Sequence, residues 1–138
     1  KVLLNELRSN VRQLAGNKEI IISNDITADK IQIDKGVFFR ILENLLQNAL
    51  RYAEKQVSIN LSHKKDFLIL TVKDDGKGFS AADLEKATTV FYSNDKEKQH
   101  FGIGLSVCKI LCEKHGGLLY VGNQKEKGAY VTAKLKSF

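Results

Sequence analysis

DKGVFFRILENLLQNALRYA, residues 34–53, is the stretch around which the rest of the chain is organised. Phe38, Ile41, Leu42, Leu45, Leu46, Ala49 and Ala53 recur at steps of three and four, the spacing of one buried helix face. Asp34 stands where a side-chain oxygen can accept from the first free N–H groups and start that helix. Asn44, Asn48, Arg51 and Tyr52 form a second stripe along the border of the apolar one, at about 100° per residue. Asn is a middling helix former because its short amide competes for the backbone, so two of them one turn apart call for a reason. A carboxamide oxygen can ligate a hard cation. A guanidinium suits phosphate oxygens. The ridge therefore reads as a site for a metal–phosphate ligand or as a half-exposed polar edge, and this helix alone leaves both open.

The chain has 138 residues, which fits one domain with a real core. Hydrophobic residues make up 43% and charged residues 28%, ordinary for a globular protein. No apolar run approaches the length of a membrane-spanning helix, and no secretory signal is visible. The chain contains no Met and begins inside an expected helix, so we expect a piece excised from a longer protein. A net charge of +6 suits an anionic ligand. The lysines are scattered and no basic strand is interleaved with aromatics, so nucleic acid is not an expected partner. Cys108 and Cys112 sit four apart in an apolar helical pattern, poorly placed for a disulfide or a zinc site, and read as small core hydrophobes.

In chain order, residues 2–15 have helical spacing that Gly16 ends. Residues 19–23, EIIIS, read as a strand, and residues 30–33 as a brief second one. After the central helix, Val57, Ile59 and Leu61 alternate with Ser58, Asn60 and Ser62, a strand with one wet face. Residues 63–66 read as a turn and residues 67–72, FLILTV, as a more buried strand, so the two form a hairpin. That strand runs into Asp74-Asp75-Gly76-Lys77-Gly78-Phe79. Two glycines one residue apart let backbone approach a ligand. Asp74 could accept a hydrogen bond from an exocyclic amine such as that of adenine, although Asp-Gly is also a common turn pair. Residues 82–87 could be a helical turn or two. Residues 88–101 carry little regular pattern around Phe91 and Tyr92 and read as a mobile lid. Gly102-Ile103-Gly104-Leu105 then precedes an apolar helix, where free N–H groups would favour an anion. His115-Gly116-Gly117 stops it, and residues 118–121 and 129–135 are two last strands. The expected class is α+β: a two-layer α/β sandwich with a mixed sheet of about five strands, helices on one face, and a flexible lid.

The order and spacing of these pieces resemble the ATP-binding catalytic domain of sensor histidine kinases, in the Bergerat-fold superfamily shared with gyrase, Hsp90 and MutL. Glu43 through Tyr52 (ENLLQNALRY) resembles its N box, Asp74 through Phe79 its first glycine box, Phe91-Tyr92 its F box, and Gly102-Ile103-Gly104-Leu105 its second. The likeness covers nearly all of the chain after residue 17. The Gly-Lys-Ser/Thr signature of P-loop ATP sites is absent.

The resemblance implies that Asn48 coordinates Mg²⁺ on the phosphates of ATP, that Asn44 supports metal or phosphates, and that Arg51 meets the phosphates. It implies that Tyr52 lines the nucleotide and that Asp74 takes the adenine amine, with Gly76, Gly78 and Phe79 in the loop beside it. Phe91 would anchor the lid, residues 80–104, and Gly102, Ile103, Gly104 and Leu105 would form its hinge at the phosphates. The family often has Gly-Thr where this chain has His100-Phe101. Hydrolysing relatives and anti-sigma serine kinases usually carry Glu at the position of Asn44, and a carboxamide cannot act as a general base near neutral pH. The domain is thus expected to place ATP for a histidine on a separate dimerisation domain, with onward transfer to a response regulator. Its parent would be a membrane-anchored homodimer with this part in the cytoplasm. The alternatives are an anti-sigma-type serine kinase or a nucleotide-dependent regulatory module.

Overall fold

The computed structural model describes residues 2–26, 32–81 and 96–137. Among the described residues, three helices, α1 (Val2–Ala15), α2 (Lys35–Tyr52) and α3 (Lys96–Lys114), accompany five strands. The strands are β1 (Glu19–Asn24), β2 (Gln56–Lys64), β3 (Phe67–Asp74), β4 (Leu118–Asn123) and β5 (Ala129–Lys136). They form one sheet in the order β1-β2-β3-β5-β4. β1 runs parallel to β2 and the other pairings are antiparallel, so the sheet is mixed, as expected.

The period of two in the strands decides which face is covered. Val57, Ile59 and Leu61 of β2, Leu68, Leu70 and Val72 of β3, and Val131, Ala133 and Leu135 of β5 are all buried together against the helices. α2 supplies Phe38, Ile41, Leu42, Leu45, Leu46 and Ala49 to the same core. α1 adds Leu7 and Val11, and α3 adds Leu105, Cys108 and Cys112. The two-layer α+β arrangement follows.

The start of α2 is set as the sequence indicates. The Asp34 side chain accepts from Val37 N at 3.1 Å, and its carbonyl from Phe38 N at 2.9 Å. The far end is held by contacts that the sequence did not announce. Lys18 Nζ donates to the carbonyls of Leu50 at 2.5 Å and Ala53 at 2.8 Å. Asp75 accepts from the backbone N–H groups of Glu54, Lys55 and Gln56 at 2.7 to 3.2 Å. One carboxylate thereby caps the corner between α2 and β2. The slight burial of Asp75 would raise its pKa, but the donors at Lys55, Gln56 and Glu54 outweigh it and hold the carboxyl below its usual range.

Several boundaries differ from the sequence reading. Of the expected strand at residues 30–33, the first two lie outside the described residues, and Gln32 and Ile33 have no regular structure. Lys64 still belongs to β2, which leaves Lys65 and Asp66 as the turn, Lys65 at φ 55°. β3 continues to Asp74. The expected turns at residues 82–87 and most of the lid, with Phe91 and Tyr92, lie outside the described residues. Lys96 through Phe101, read as irregular, are helical, and Gly102 and Gly104 lie inside α3 rather than ahead of it. Lys, Glu and Gln are strong helix formers, and a glycine costs only about 1 kcal/mol relative to alanine, too little to stop a helix.

Two stability measurements test this account. Leu46→Ala removes a side chain that is 0% exposed, and urea unfolding should register a loss of about 2–5 kcal/mol. Asp75→Ala should cost about 1 kcal/mol at pH 7, comparable with losing a helix cap. Because the folded-state pKa of Asp75 is lowered, that stabilisation exists above the unfolded value and disappears as pH falls through the folded one. The gap between wild type and Asp75→Ala should therefore narrow as the solution is acidified; a gap that does not change with pH would contradict the assigned cap.

Candidate nucleotide-binding site

Asp74 is the last residue of β3, and its position in the alternation is that of Leu68, Leu70 and Val72. Its side chain therefore points to the helix side of the sheet, not to the wet side. It is 6% exposed. Oδ1 accepts from Gly76 N at 2.8 Å and from Ala129 N at 3.4 Å, while its carbonyl accepts from Gln124 Nε2 at 2.8 Å. Burial raises its pKa above the ordinary carboxylate value. The backbone donors at Gly76 and Ala129 pull it back, Asp75 pushes it up, and Lys18 pulls it down. A carboxylate whose pKa is shifted by desolvation at the end of a strand marks a candidate functional position.

The loop after Asp74 is wedged into the fold. A Cβ on Gly76 would lie 2.1 Å from the Tyr52 carbonyl oxygen, so only glycine lets this loop touch the end of α2. A Cβ on Gly128 would lie 1.9 Å from the Asp74 carbonyl oxygen, and this glycine also turns at φ 94°. Gly78 has φ 81°, a left-handed value that favours glycine, whereas Gly76 does not take a positive φ. Asn123 then grips Phe79 from both sides: its Oδ1 accepts from Phe79 N at 2.7 Å and its Nδ2 donates to Phe79 O at 2.9 Å. Asn123, the last residue of β4, and Gln124, in the turn that follows, are residues that the sequence reading missed. A short polar turn carries no local signal of what it will touch. Lys18, one of 22 basic residues, was equally silent.

The polar ridge of α2 points to the same end of the molecule. Gly76 abuts the Tyr52 carbonyl, so α2 ends beside Asp74. α3 ends at the opposite edge, where His115 O accepts from Lys136 N. The two helices are therefore antiparallel. They meet where Cys108 Sγ lies 3.9 Å from the Ile41 carbonyl and the Asn44 side chain bonds the Cys108 thiol. Asn48 is one turn closer to Asp74 than Asn44, on the same side of α2. Both Asn44 and Asn48 are half-buried, Arg51 is exposed, and Tyr52 is half-buried against the core. The side chain of Leu105 belongs to the core itself, while the side chain of Ile103 lies outside the described residues. Phe91 lies outside them altogether.

Cys108 and Cys112 are free and buried, as the sequence indicated. Burial pushes each thiol up to about 12, so both are protonated and inert at neutral pH. Among the described residues no three His, Cys, Asp or Glu side chains gather to form a metal cage. Two carboxamides on one ridge are a donor set of another kind. They suit a hard cation that keeps most of its ligands from water and phosphates, the habit of Mg²⁺. A groove of about 390 Å³ between α1 and β1, lined by Arg8, Val11, Arg12, Ile20 and Ile22, shares none of these residues.

Comparison with known proteins gives the family and the fold. Residues 33–137 match the family described as histidine kinase-, DNA gyrase B-, and HSP90-like ATPase. The sensor histidine kinase SpaK of Bacillus subtilis is 35% identical over 140 residues, covering 96% of this chain and 30% of that protein. The sensor histidine kinase WalK of Bacillus subtilis is 30% identical over 110 residues, covering 74% of this chain and 18% of that protein. The chain thus spans less than a third of either relative. The full-length ShkA structure in complex with AMPPNP superposes with a TM-score of 0.77 at 23% identity, covering 98% of this chain and 29% of that one. With a family match over residues 33–137, the chain belongs to the histidine kinase-, DNA gyrase B-, and HSP90-like ATPases.

Proposed function

We propose that residues 1–138 act as one catalytic domain that binds Mg-ATP and donates the γ-phosphoryl to a histidine on a separate domain of the same parent protein. The observation carrying this reading is Asp74: a carboxylate 6% exposed, on the helix side of the sheet, at the end of the fold where α2 terminates. Asp74 accepts a hydrogen bond from the adenine amine, which selects adenine over guanine because guanine presents a carbonyl at that position. Tyr52 and Phe79 flank the base. Asn48 offers its carboxamide oxygen to the metal, Asn44 supports it, and Arg51 faces the phosphates from the exposed end of the ridge. Bound Mg²⁺ would neutralise phosphate charge and fix the geometry of the chain of phosphates.

The reaction is placement. An imidazole nitrogen forms a bond to the γ-phosphorus as the bond from that phosphorus to the β–γ bridging oxygen breaks, and ADP departs with the electron pair. No described residue on the ridge can serve as a base, because Asn44 is a carboxamide. That favours an external imidazole, itself a competent nucleophile, over a serine hydroxyl that needs deprotonation. Gly102 and Gly104, helical within α3, make its first turns inexpensive to unwind. Unwinding frees their N–H groups for phosphates, which α-helical pairing otherwise occupies. In the parent we assign a dimerisation domain carrying the histidine, a response regulator as the next acceptor, a homodimeric membrane-anchored assembly, and a cytoplasmic position for this domain.

Calorimetric titration with a non-hydrolysable ATP analogue tests the base site. Asp74→Asn should weaken binding by about 10- to 100-fold, the worth of a hydrogen bond to a charged group. The same variant should be no less stable than wild type at pH 7. The folded-state pKa of Asp74 is raised, so its ionisation costs stability as pH rises through that value, and a neutral amide avoids the cost. Unchanged affinity in Asp74→Asn would refute the pocket. For the metal site, Asn48→Ala should abolish most of the gain in affinity that Mg²⁺ gives the wild type while leaving metal-free binding nearly intact. An equal loss with and without Mg²⁺ would count against Asn48 as its ligand.

A further inference from the structure

β1 is an edge strand, with β2 as its neighbour on one side. In a parallel pair, alternate residues turn both backbone groups toward the partner strand. Glu19 N donates to Lys55 O at 3.0 Å and Asp25 N to Leu61 O at 2.8 Å, so the odd-numbered residues of β1 face β2. The N–H and C=O groups of Ile20 and Ile22 therefore face the open edge, and among the described residues nothing pairs with them. Natural edges are guarded against such pairing by lysine, proline or a bulge. β1, EIIISN, has neither lysine nor proline, and its register with β2 runs unbroken from Glu19 to Asn24. The side chains of the same two isoleucines line the groove of about 390 Å³ beside α1, together with Arg8, Val11 and Arg12. Val11 is buried and both arginines are exposed. Glu6, the acid of α1, is already engaged by Lys35. On the other face of the strand Ile21 is 45% exposed.

We propose that this edge is a docking site for an extended segment of a partner protein in which acidic and β-branched residues alternate, added to the sheet beside β1. The open backbone groups of Ile20 and Ile22 supply the hydrogen bonds, the usual source of affinity in strand addition. One face of the added strand turns toward α1. Side chains two apart on that face are separated by about 6.6 Å. Residues four apart on a helix are separated by about 5–6 Å. Two carboxylates on one strand face thus match the spacing of Arg8 and Arg12. Glutamate fits best, because its methylenes can lie on Val11, Ile20 and Ile22 while its carboxylate meets a guanidinium. The intervening residues fall beside Ile21, where a β-branched side chain packs well. Charge selects this occupant over a second copy, since two copies joined edge to edge would bring both arginine pairs to one seam in a chain of net charge +6. None of these residues belongs to the nucleotide site, so the inference stands apart from the ATP assignment.

The probe is a blocked synthetic peptide of alternating Glu and Val, titrated into the ¹⁵N-labelled chain. Binding should be saturable and should weaken as salt is added. At a peptide concentration of about ten times its Kd, amide exchange at Ile20 and Ile22 should slow about tenfold. Exchange at Ile21 and Ser23, whose N–H groups already face β2, should not change. Arg8→Glu combined with Arg12→Glu, both at exposed positions, should weaken binding about tenfold, because two attractions become two repulsions. A peptide with Lys in place of Glu leaves the protein unaltered; it should fail to bind wild type and should bind the doubly reversed variant. Absence of saturable binding, or binding that leaves exchange at Ile20 and Ile22 unchanged, overturns the proposal. Equal binding of the Glu and Lys peptides by wild type does so too. If the Ile20 and Ile22 amides become protected as protein concentration rises without peptide, the occupant is a second copy and the proposal fails.

Discussion

A carboxylate facing the hydrophobic layer at the end of a central strand is the constraint on which this structure turns. Strand periodicity gives Asp74 the same orientation as the leucines and valine that precede it. An unpaired charge there would be prohibitive. The fold answers with backbone donors from two different segments, Gly76 and Ala129. None of these neutralises the carboxylate outright. Those donors converge on Oδ1 and fix the orientation of the side chain.

Meeting that constraint ties together segments remote in sequence. Gln124 reaches the Asp74 carbonyl, and Asn123 holds Phe79 by both backbone groups, so the β4–β5 turn buttresses the loop after β3. Asp75 binds three consecutive N–H groups at the corner leaving α2. The adjacent acids therefore divide the work: Asp74 faces inward toward the site and Asp75 outward as a structural cap. Their pKa shifts run in opposite directions for that reason, burial dominating one and hydrogen bonding the other.

The helices show how a core doubles as scaffolding for chemistry. The apolar face of α2 locks its rotation about its own axis, and that rotation aims Asn44, Asn48 and Arg51. α3 lies antiparallel to it, with Cys108 bonded to the Asn44 side chain and close to the Ile41 carbonyl. A ridge of amides set on so rigid a support suits a mechanism that relies on placement rather than on proton transfer.

Much of this was legible in the chain itself. The steps of three and four in residues 34–53 gave α2, its buried face, its Asp34 cap and its polar ridge, because helical periodicity is a local property. Alternation in residues 57–62 and 129–135 gave two strands and their inward faces in the same way. The boxes carrying Asn48, Asp74 and Gly104 were readable as a pattern of residue types at fixed spacing. What depended on tertiary structure was whatever joins positions far apart. Lys18 on the carbonyls of α2, Gln124 on Asp74 and Asn123 on Phe79 span 32 to 50 residues of sequence. No local preference marks a lysine or a turn amide for such a role. The continuation of α3 through Gly102 and Gly104 was likewise hidden, since glycine weakens a helix without forbidding it. Sequence determined the elements and the chemistry they carry; only packing decided which side chains would hold a buried charge in place, because that depends on distances in space that no short window of residues contains.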